Sequence, residues 1–268
     1  MYDEGSCEAL RVEELAEEVQ RVSGLVVEVR GEFVRHWADA RGKLAEALVR
    51  ARIADPMSRF QSDREALPAE VAAERRALET PGRTSVGILY DGTVVQWLMA
   101  EVMEHGVAAE VARTGAECHI AITGRLLGTW VPEDRRWHAH TVLLGEPNLI
   151  STSGLVQAPA RPREYYQAQA LATTRLAPRE VVEAELRRRM ADRMLLPGDP
   201  RLTPAAAGCA LQAIACHLTG EAFCEVPTCR LFNARRQEEL IRSQCSEEAG
   251  LCPRHEAFFR SLRRGGSE

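Results

Sequence analysis

An α/β or α+β protein is the fold class this sequence predicts: a mixed sheet flanked by helices, followed by a helical C-terminal segment. Three observations lead there. A strand–helix–strand alternation runs over residues 84–124, two further β-rich stretches follow by residue 156, and helical patterns fill most of the chain after that.

Taken in order, residues 8–20 predict a polar-faced helix. The run GLVVEVRG (24–31) predicts a short β-branched strand, and 32–53 a long amphipathic helix that stops before Pro56. Residues 55–83 turn polar and hold one helix, 68–79, between the loop-marking runs DPMSRF and TPGR. TSVGILYDG (84–92) reads as a buried strand and 93–105 as a helix. AECHIAITG (116–124), WHAHTVLLG (137–145) and NLISTSGLV (148–156) are the remaining strands. Proline-rich QAPARPREYY (157–166) leaves the sheet, and helices are expected near 166–174, 179–195, 204–218, 234–244 and 254–263. Residues 1–83 thus form an N-terminal, mostly helical region, either separate from or continuous with the main domain. Residues 84–268 form the main α/β domain, with a metal-binding segment at 220–260.

Composition bounds the function. The chain has 268 residues, 45% of them hydrophobic and 27% charged, so it can bury a sizeable core. A formal charge of -5 disfavours nucleic acid as a partner, because phosphate binding wants a basic face. The basic clusters LRRRMADR (186–193) and RSLRR (260–264) read as solvated helix faces. No apolar run approaches the roughly 18–20 residues that span a bilayer, and the acidic start MYDEGSCEALRVEELAEEV has no signal-peptide core. A cytoplasmic protein with no membrane partner is the expectation, with its thiols reduced.

In that setting the cysteines matter. Six of the eight, Cys209, Cys216, Cys224, Cys229, Cys245 and Cys252, lie beyond residue 208; Cys7 and Cys118 are the others. Crowding at one end of a reduced chain points to metal rather than to a disulfide scaffold. The helix at 204–218 is punctuated by Thr203 as N-cap, Pro204 as first helical residue and Gly220 as C-cap. Its interior AAAGCALQAIACHL is nearly all apolar, so it should be buried, with Cys209 and Cys216 as core and His217 near its end.

Beyond it, Cys224 and Cys229 make a C-x4-C pair, and Cys252 and His255 a C-x2-H pair. Together they supply the ligand inventory of a closed tetrahedral zinc site. A helix between them, with Asn233 as its N-cap, would fold back to bring the pairs together, with Cys245 a bystander at its end. On a strand, His138 and His140 would point to one face, and with His217 they would offer three imidazoles for a second metal; His119 is a further candidate.

The segment AIACHLTGEAFCEVPTC (213–229) resembles the archaemetzincins, a branch of the metzincin zinc peptidases. Their motif is H-E-x-x-H-x-x-G-x-x-H-C, followed after four residues by a further Cys and later by a C-x-x-C pair. The second His falls on His217, the Gly on Gly220, and the two cysteines on Cys224 and Cys229. The late pair falls on Cys252 and His255, and CRLFN (229–233) is similar to the stretch that follows in the family. The resemblance implies a structural zinc at those four residues.

It also implies a lost active site. The first His is replaced by Ala213, the general-base Glu by Ile214 and the third His by Phe223. A catalytic zinc needs three protein ligands and an open position for water, which the Glu deprotonates. The sequence therefore leads to an archaemetzincin-like homologue with one structural zinc and no peptidase activity, a peptide-binding or regulatory protein whose partner is a peptide or protein. Two alternatives stand beside it: a zinc hydrolase rearranged around His138, His140 and His217, and a structural or interaction protein with a zinc-stabilised C-terminus. No G-x-S-x-G, P-loop or G-x-G-x-x-G fingerprint is present.

Overall fold

The computed structural model describes residues 1–37, 41–61, 65–80, 87–105, 117–172 and 179–265. Among these, seven short strands make two mixed sheets: β1 (Tyr2–Glu4), β2 (Leu89–Asp91), β3 (Ile120–Thr123), β4 (Leu126–Val131), β5 (Arg136–His140), β6 (Val142–Leu143) and β7 (Asn148–Ser151). The first sheet has the order β1-β3-β7-β6 and the second β2-β4-β5. Pairs β1–β3, β3–β7 and β2–β4 are parallel, while β4–β5 and β6–β7 are antiparallel. Two chain segments serve both sheets, one bending at Gly124–Arg125 between β3 and β4, the other at Thr141 between β5 and β6. Ser151 clamps both bends: its Oγ donates to the Arg125 carbonyl at 2.6 Å and its N–H to the Thr141 carbonyl at 2.9 Å.

The helices are α1 (Val12–Ser23), α2 (Phe33–Trp37), α3 (Arg41–Arg50), α4 (Pro68–Glu79), α5 (Gly92–His105), α6 (Thr152–Gln157), α7 (Arg163–Ala172), α8 (Arg179–Arg189), α9 (Leu202–Thr219), α10 (Gln237–Gln244) and α11 (Pro253–Gly265). They cover both faces of the first sheet. Side chains alternate across a strand, so Ile120, Ile122 and Ile150 enter a core shared with α1 and α9. Ala121 and Leu149 enter the opposite core, with Tyr2, Phe33, Trp37 and Tyr90. A sheet buried on both faces explains why every residue of β3 and β7 is buried.

Helix α9 is the central member, buried from Leu202 to Ala215 except at Pro204. Its 18 residues are long and apolar enough to cross a membrane by length and composition, contrary to the expectation that no such run exists; 72% of it is buried inside the protein. It starts two residues earlier than expected: Arg201 rather than Thr203 is the N-cap, and Thr203 Oγ1 instead accepts the Arg11 N–H at 3.1 Å. Gly220 closes it in the left-handed conformation, φ 77°.

Several elements depart from their sequence patterns. Residues 24–31 form no strand; they lie beside β1, with Arg30 N–H bonded to the Met1 carbonyl and Asp3 N–H to the Gly31 carbonyl. Of the expected helix over 32–53, the described residues hold α2 and α3, and residues 38–40 between them lie outside the described residues. Strand 148–156 ends at Ser151, whose Oγ accepts the Gly154 N–H at 2.8 Å and caps α6, so the serine–threonine run is helix-start chemistry. Strands β1 and β4 have no counterpart in the sequence reading. The expected strand over 84–92 is β2, with residues 84–86 outside the described residues.

Gly154 marks a close approach. A side-chain carbon there would overlap the carbonyl oxygen of His140 at the end of β5, which backbone pairing holds in place. Gly154→Ala is therefore expected to cost about 1–3 kcal/mol, the range for overpacking. Chemical denaturation measures it; an unchanged midpoint would show that the α6–β5 contact is slack.

Candidate metal centre

After Gly220 the chain makes a compact C-terminal unit from two tight turns and two helices. Cys224 N–H bonds to the Leu231 carbonyl at 2.9 Å, and Cys229 N–H to the Val226 carbonyl at 2.9 Å, which folds CEVPTC back on itself. Val226 N–H points at Cys224 Sγ, 3.4 Å away. A second contact pairs Cys229 with Gly250, with Arg230 N–H donating to the Gly250 carbonyl at 2.8 Å. Pro253 opens α11, as its missing N–H allows, so Cys252 and His255 flank its first turn.

These turns bring Cys224, Cys229, Cys252 and His255 together: their Sγ and imidazole nitrogen atoms all lie within 4.8 Å of one another. Cys224 Sγ and Cys252 Sγ are 3.8 Å apart, and His255 Nδ1 is 3.4 Å from Cys229 Sγ and 3.1 Å from Cys252 Sγ. A tetrahedral zinc with bonds of about 2.3 Å to sulfur and 2.0 Å to nitrogen has S···S edges of about 3.8 Å and S···N edges of about 3.5 Å. The donor set and its spacing therefore fit such an ion. Burial pushes the Cys229 thiol up to about 12. At Cys252 burial acts in the same direction, but the backbone N–H groups of His255 and Arg254 and the neighbouring thiols hold it below its ordinary value. A divalent cation binds thiolates and overrides both.

Arg230, next to a ligand and singled out by no sequence pattern, anchors this unit to the core. It is 9% exposed; its guanidinium donates to Gln244 Oε1 at 3.2 Å, to the Pro204 carbonyl at 2.9 Å and to Glu18 at 2.7 Å. One side chain thus ties the Cys229 turn to α10, α9 and α1. Helix α10 starts at Gln237 rather than after Asn233, with Glu239 accepting the N–H groups of Arg235 and Arg236 at 2.9 and 3.0 Å. Cys245 stays outside the cluster, its Sγ 3.7 Å from the Arg201 carbonyl, and Cys209 is core.

The structure does not bring His138, His140 and His217 together. His140 Nε2 lies 2.7 Å from Thr129 Oγ1 and His138 Nε2 2.8 Å from the Asp134 carboxylate, both on the edge strand β5. His217 is exposed and lines a cavity of about 330 Å³ with Ile214, Leu218 and His119, between the end of α9 and residues 25–30. Ala213 and Ile214 are 0% and 4% exposed, and Phe223 is 44% exposed. Among the described residues, the Cys224–Cys229–Cys252–His255 group is the His, Cys, Asp or Glu cluster that could hold a metal ion.

Fold and site define a mixed α/β protein with a C-terminal Cys3His centre able to hold a metal. Its sequence matches the family described as "Probable metallopeptidase family (DUF6775)" over residues 1–262, so the chain belongs to that family. The match includes residues 1–83, for which the sequence alone offers no resemblance. No curated protein and no solved structure matches it.

Proposed function

We propose that this chain is an archaemetzincin-like member of its family that carries one structural zinc and has lost peptidase activity, serving as a cytoplasmic peptide-binding or regulatory protein. The contrast between two sites on one segment carries this reading. Four ligands with tetrahedral spacing stand at Cys224, Cys229, Cys252 and His255. On α9, one turn before His217, the positions for a catalytic ligand and base hold buried Ala213 and Ile214. Two imidazoles four residues apart share a helix face and grip one ion; a methyl group at 213 leaves His217 alone on that face. Zinc at the Cys3His centre would act as a cross-link among the turns 224–229, residue 252 and α11. Ile214 cannot accept a proton from water, so the motif position that holds the base in the zincin mechanism has none.

Metal analysis of purified full-length protein is expected to give one zinc per chain, with casein left uncleaved when zinc is added. Two zincs per chain, or cleavage abolished by His217→Ala, would instead favour a rearranged hydrolase.

A further inference from the structure

Solvent does not reach the four groups of the metal centre equally. Cys229 is 1% exposed and His255 7%, and within the donor group Cys224 alone is open. Cys252 is covered at the donor group, although part of the residue stays accessible. A reagent arriving from solvent therefore meets the Cys224 sulfur first.

The sulfur beside it belongs to a different element. Cys252 Sγ lies 3.8 Å from Cys224 Sγ, and a disulfide needs about 2.05 Å, so the two must close by about 1.8 Å. Cys229 is less free to make such a move. Its N–H bonds to the Val226 carbonyl, the residue pairs with Gly250, and Arg230 beside it donates to the Gly250 carbonyl. Cys252 stands just before α11, outside the turn that fixes Cys229.

A thiolate is both the metal ligand and the nucleophile, so a sulfur held as a ligand keeps a lone pair for an electrophile. With hydrogen peroxide, Cys224 Sγ attacks one oxygen. The S–O bond forms, the O–O bond breaks, and the departing hydroxide takes up a proton and leaves as water. The sulfenic acid on Cys224 then condenses with a neighbouring thiolate. Cys252 Sγ attacks the Cys224 sulfur, the S–S bond forms, the S–O bond breaks, and a second hydroxide is protonated to water. In total two thiolates give up two electrons, one peroxide accepts them with two protons, and the products are one disulfide and two waters. Cys229 and His255 remain as two donors, short of the four that close a structural site.

We propose that the Cys3His centre is a peroxide-sensitive switch: Cys224 is the reacting thiolate, Cys252 resolves it, and their disulfide releases the metal. This rests on the structural-zinc reading above and adds the condition under which the zinc is lost. The disulfide joins the same elements that the metal cross-links, the 224–229 turn and the start of α11. Helix α11 also keeps Phe259, 0% exposed, in the core. Oxidation thus exchanges one cross-link for another and frees the ion without undocking the helix.

Full-length protein purified under reducing conditions and carrying one zinc tests it, with a small molar excess of hydrogen peroxide and a chromogenic zinc chelator. One zinc per chain should be released, and the denatured mass should fall by the two hydrogens lost. Non-reduced peptide maps should join Cys224 to Cys252 and leave the other six of the eight cysteines open to alkylation. Dithiothreitol with added zinc should restore both the thiols and the metal. Cys224→His keeps four donors, as a Cys2His2 set, and should slow release by at least roughly tenfold because the attacking sulfur is gone. Cys252→His should leave a sulfenic acid on Cys224 that dimedone traps. Hydrogen exchange should show α11 still protected in the oxidised wild type. Zinc retained through the treatment, a disulfide joining any other pair, or unchanged release from Cys224→His overturns the switch and leaves the zinc reading standing. A reduced chain that binds no zinc removes both.

Discussion

Cys252→Ser is expected to abolish metal binding and lower the melting temperature by roughly 10 °C, while Cys245→Ser leaves both close to wild type. The difference is geometric. Cys252 Sγ stands 3.8 Å from Cys224 Sγ and 3.1 Å from His255 Nδ1, inside the tetrahedral donor set; Cys245 meets only the Arg201 carbonyl among the contacts resolved for its thiol. Structural zinc contributes about 10–16 kcal/mol to isolated zinc fingers, which have no other core. Here α11 also buries Phe259 completely and Arg263 bonds the Val22 carbonyl, so part of the docking survives without metal. A net loss of about 3–5 kcal/mol is therefore expected, worth roughly 2–4 °C per kcal/mol in a chain of this size. Hydrogen exchange should show protection lost first in α11 and the 224–232 turn, with β3 and β7 unaffected. Wild-type zinc content and melting in Cys252→Ser would refute a role for this centre in stability.

What was legible in the sequence was what is local. Cys224, Cys229, Cys252 and His255, which the fold gathers into one group able to hold a metal, come as two pairs, each closed by a turn of a few residues, so spacing alone pointed to them. Arg230 was invisible for the opposite reason: its ion pair with Glu18 spans 212 positions and no periodicity encodes it. Strand β4 has no counterpart in the sequence reading, because glycine at 128 weakens a strand pattern. In fact Gly128 sits where a side chain would come within 2.8 Å of the His138 carbonyl, so glycine there serves the close pairing with β5. The failure at 24–31 is similar in kind. Its β-branched residues suit a strand, but whether a segment pairs along its length depends on neighbours far away in sequence. The cavity beside His217 likewise needs Val19, Arg30 and His119 from separate elements, and only folding gathers them.

A loss as large as that at the metal is expected at Glu74 on α4. Its carboxylate is 1% exposed and is bonded by Arg125 at 2.8 and 3.1 Å, by Arg52 at 2.6 Å and by the Tyr90 hydroxyl at 2.9 Å. Burial alone would raise the carboxyl; the charge of Arg125 and the bonds from Arg52 and Arg125 outweigh it and hold the group below its ordinary 4.5. Because the folded value is depressed, this contribution is fully present above about pH 4.5 and is lost as pH falls through the folded value. Glu74→Gln removes the charge while both guanidiniums stay: Arg125 is 4% exposed and keeps no other carboxylate partner among the resolved ion pairs, whereas Arg52 retains Glu70 at 3.6 Å. A buried cation stripped of its partner costs about 3–5 kcal/mol, so melting should fall by roughly 10 °C or more at pH 7, and by progressively less as pH falls below 4.5 through the folded value. Desolvation works against any buried pair, so the double replacement Glu74→Leu with Arg125→Met should cost less than Glu74→Gln alone. Denaturant titrations of the three proteins at pH 7 and pH 4 decide it. If the double variant is the least stable, the network contributes net stability; the expected order assigns it instead to fixing α4 against the turn between β3 and β4.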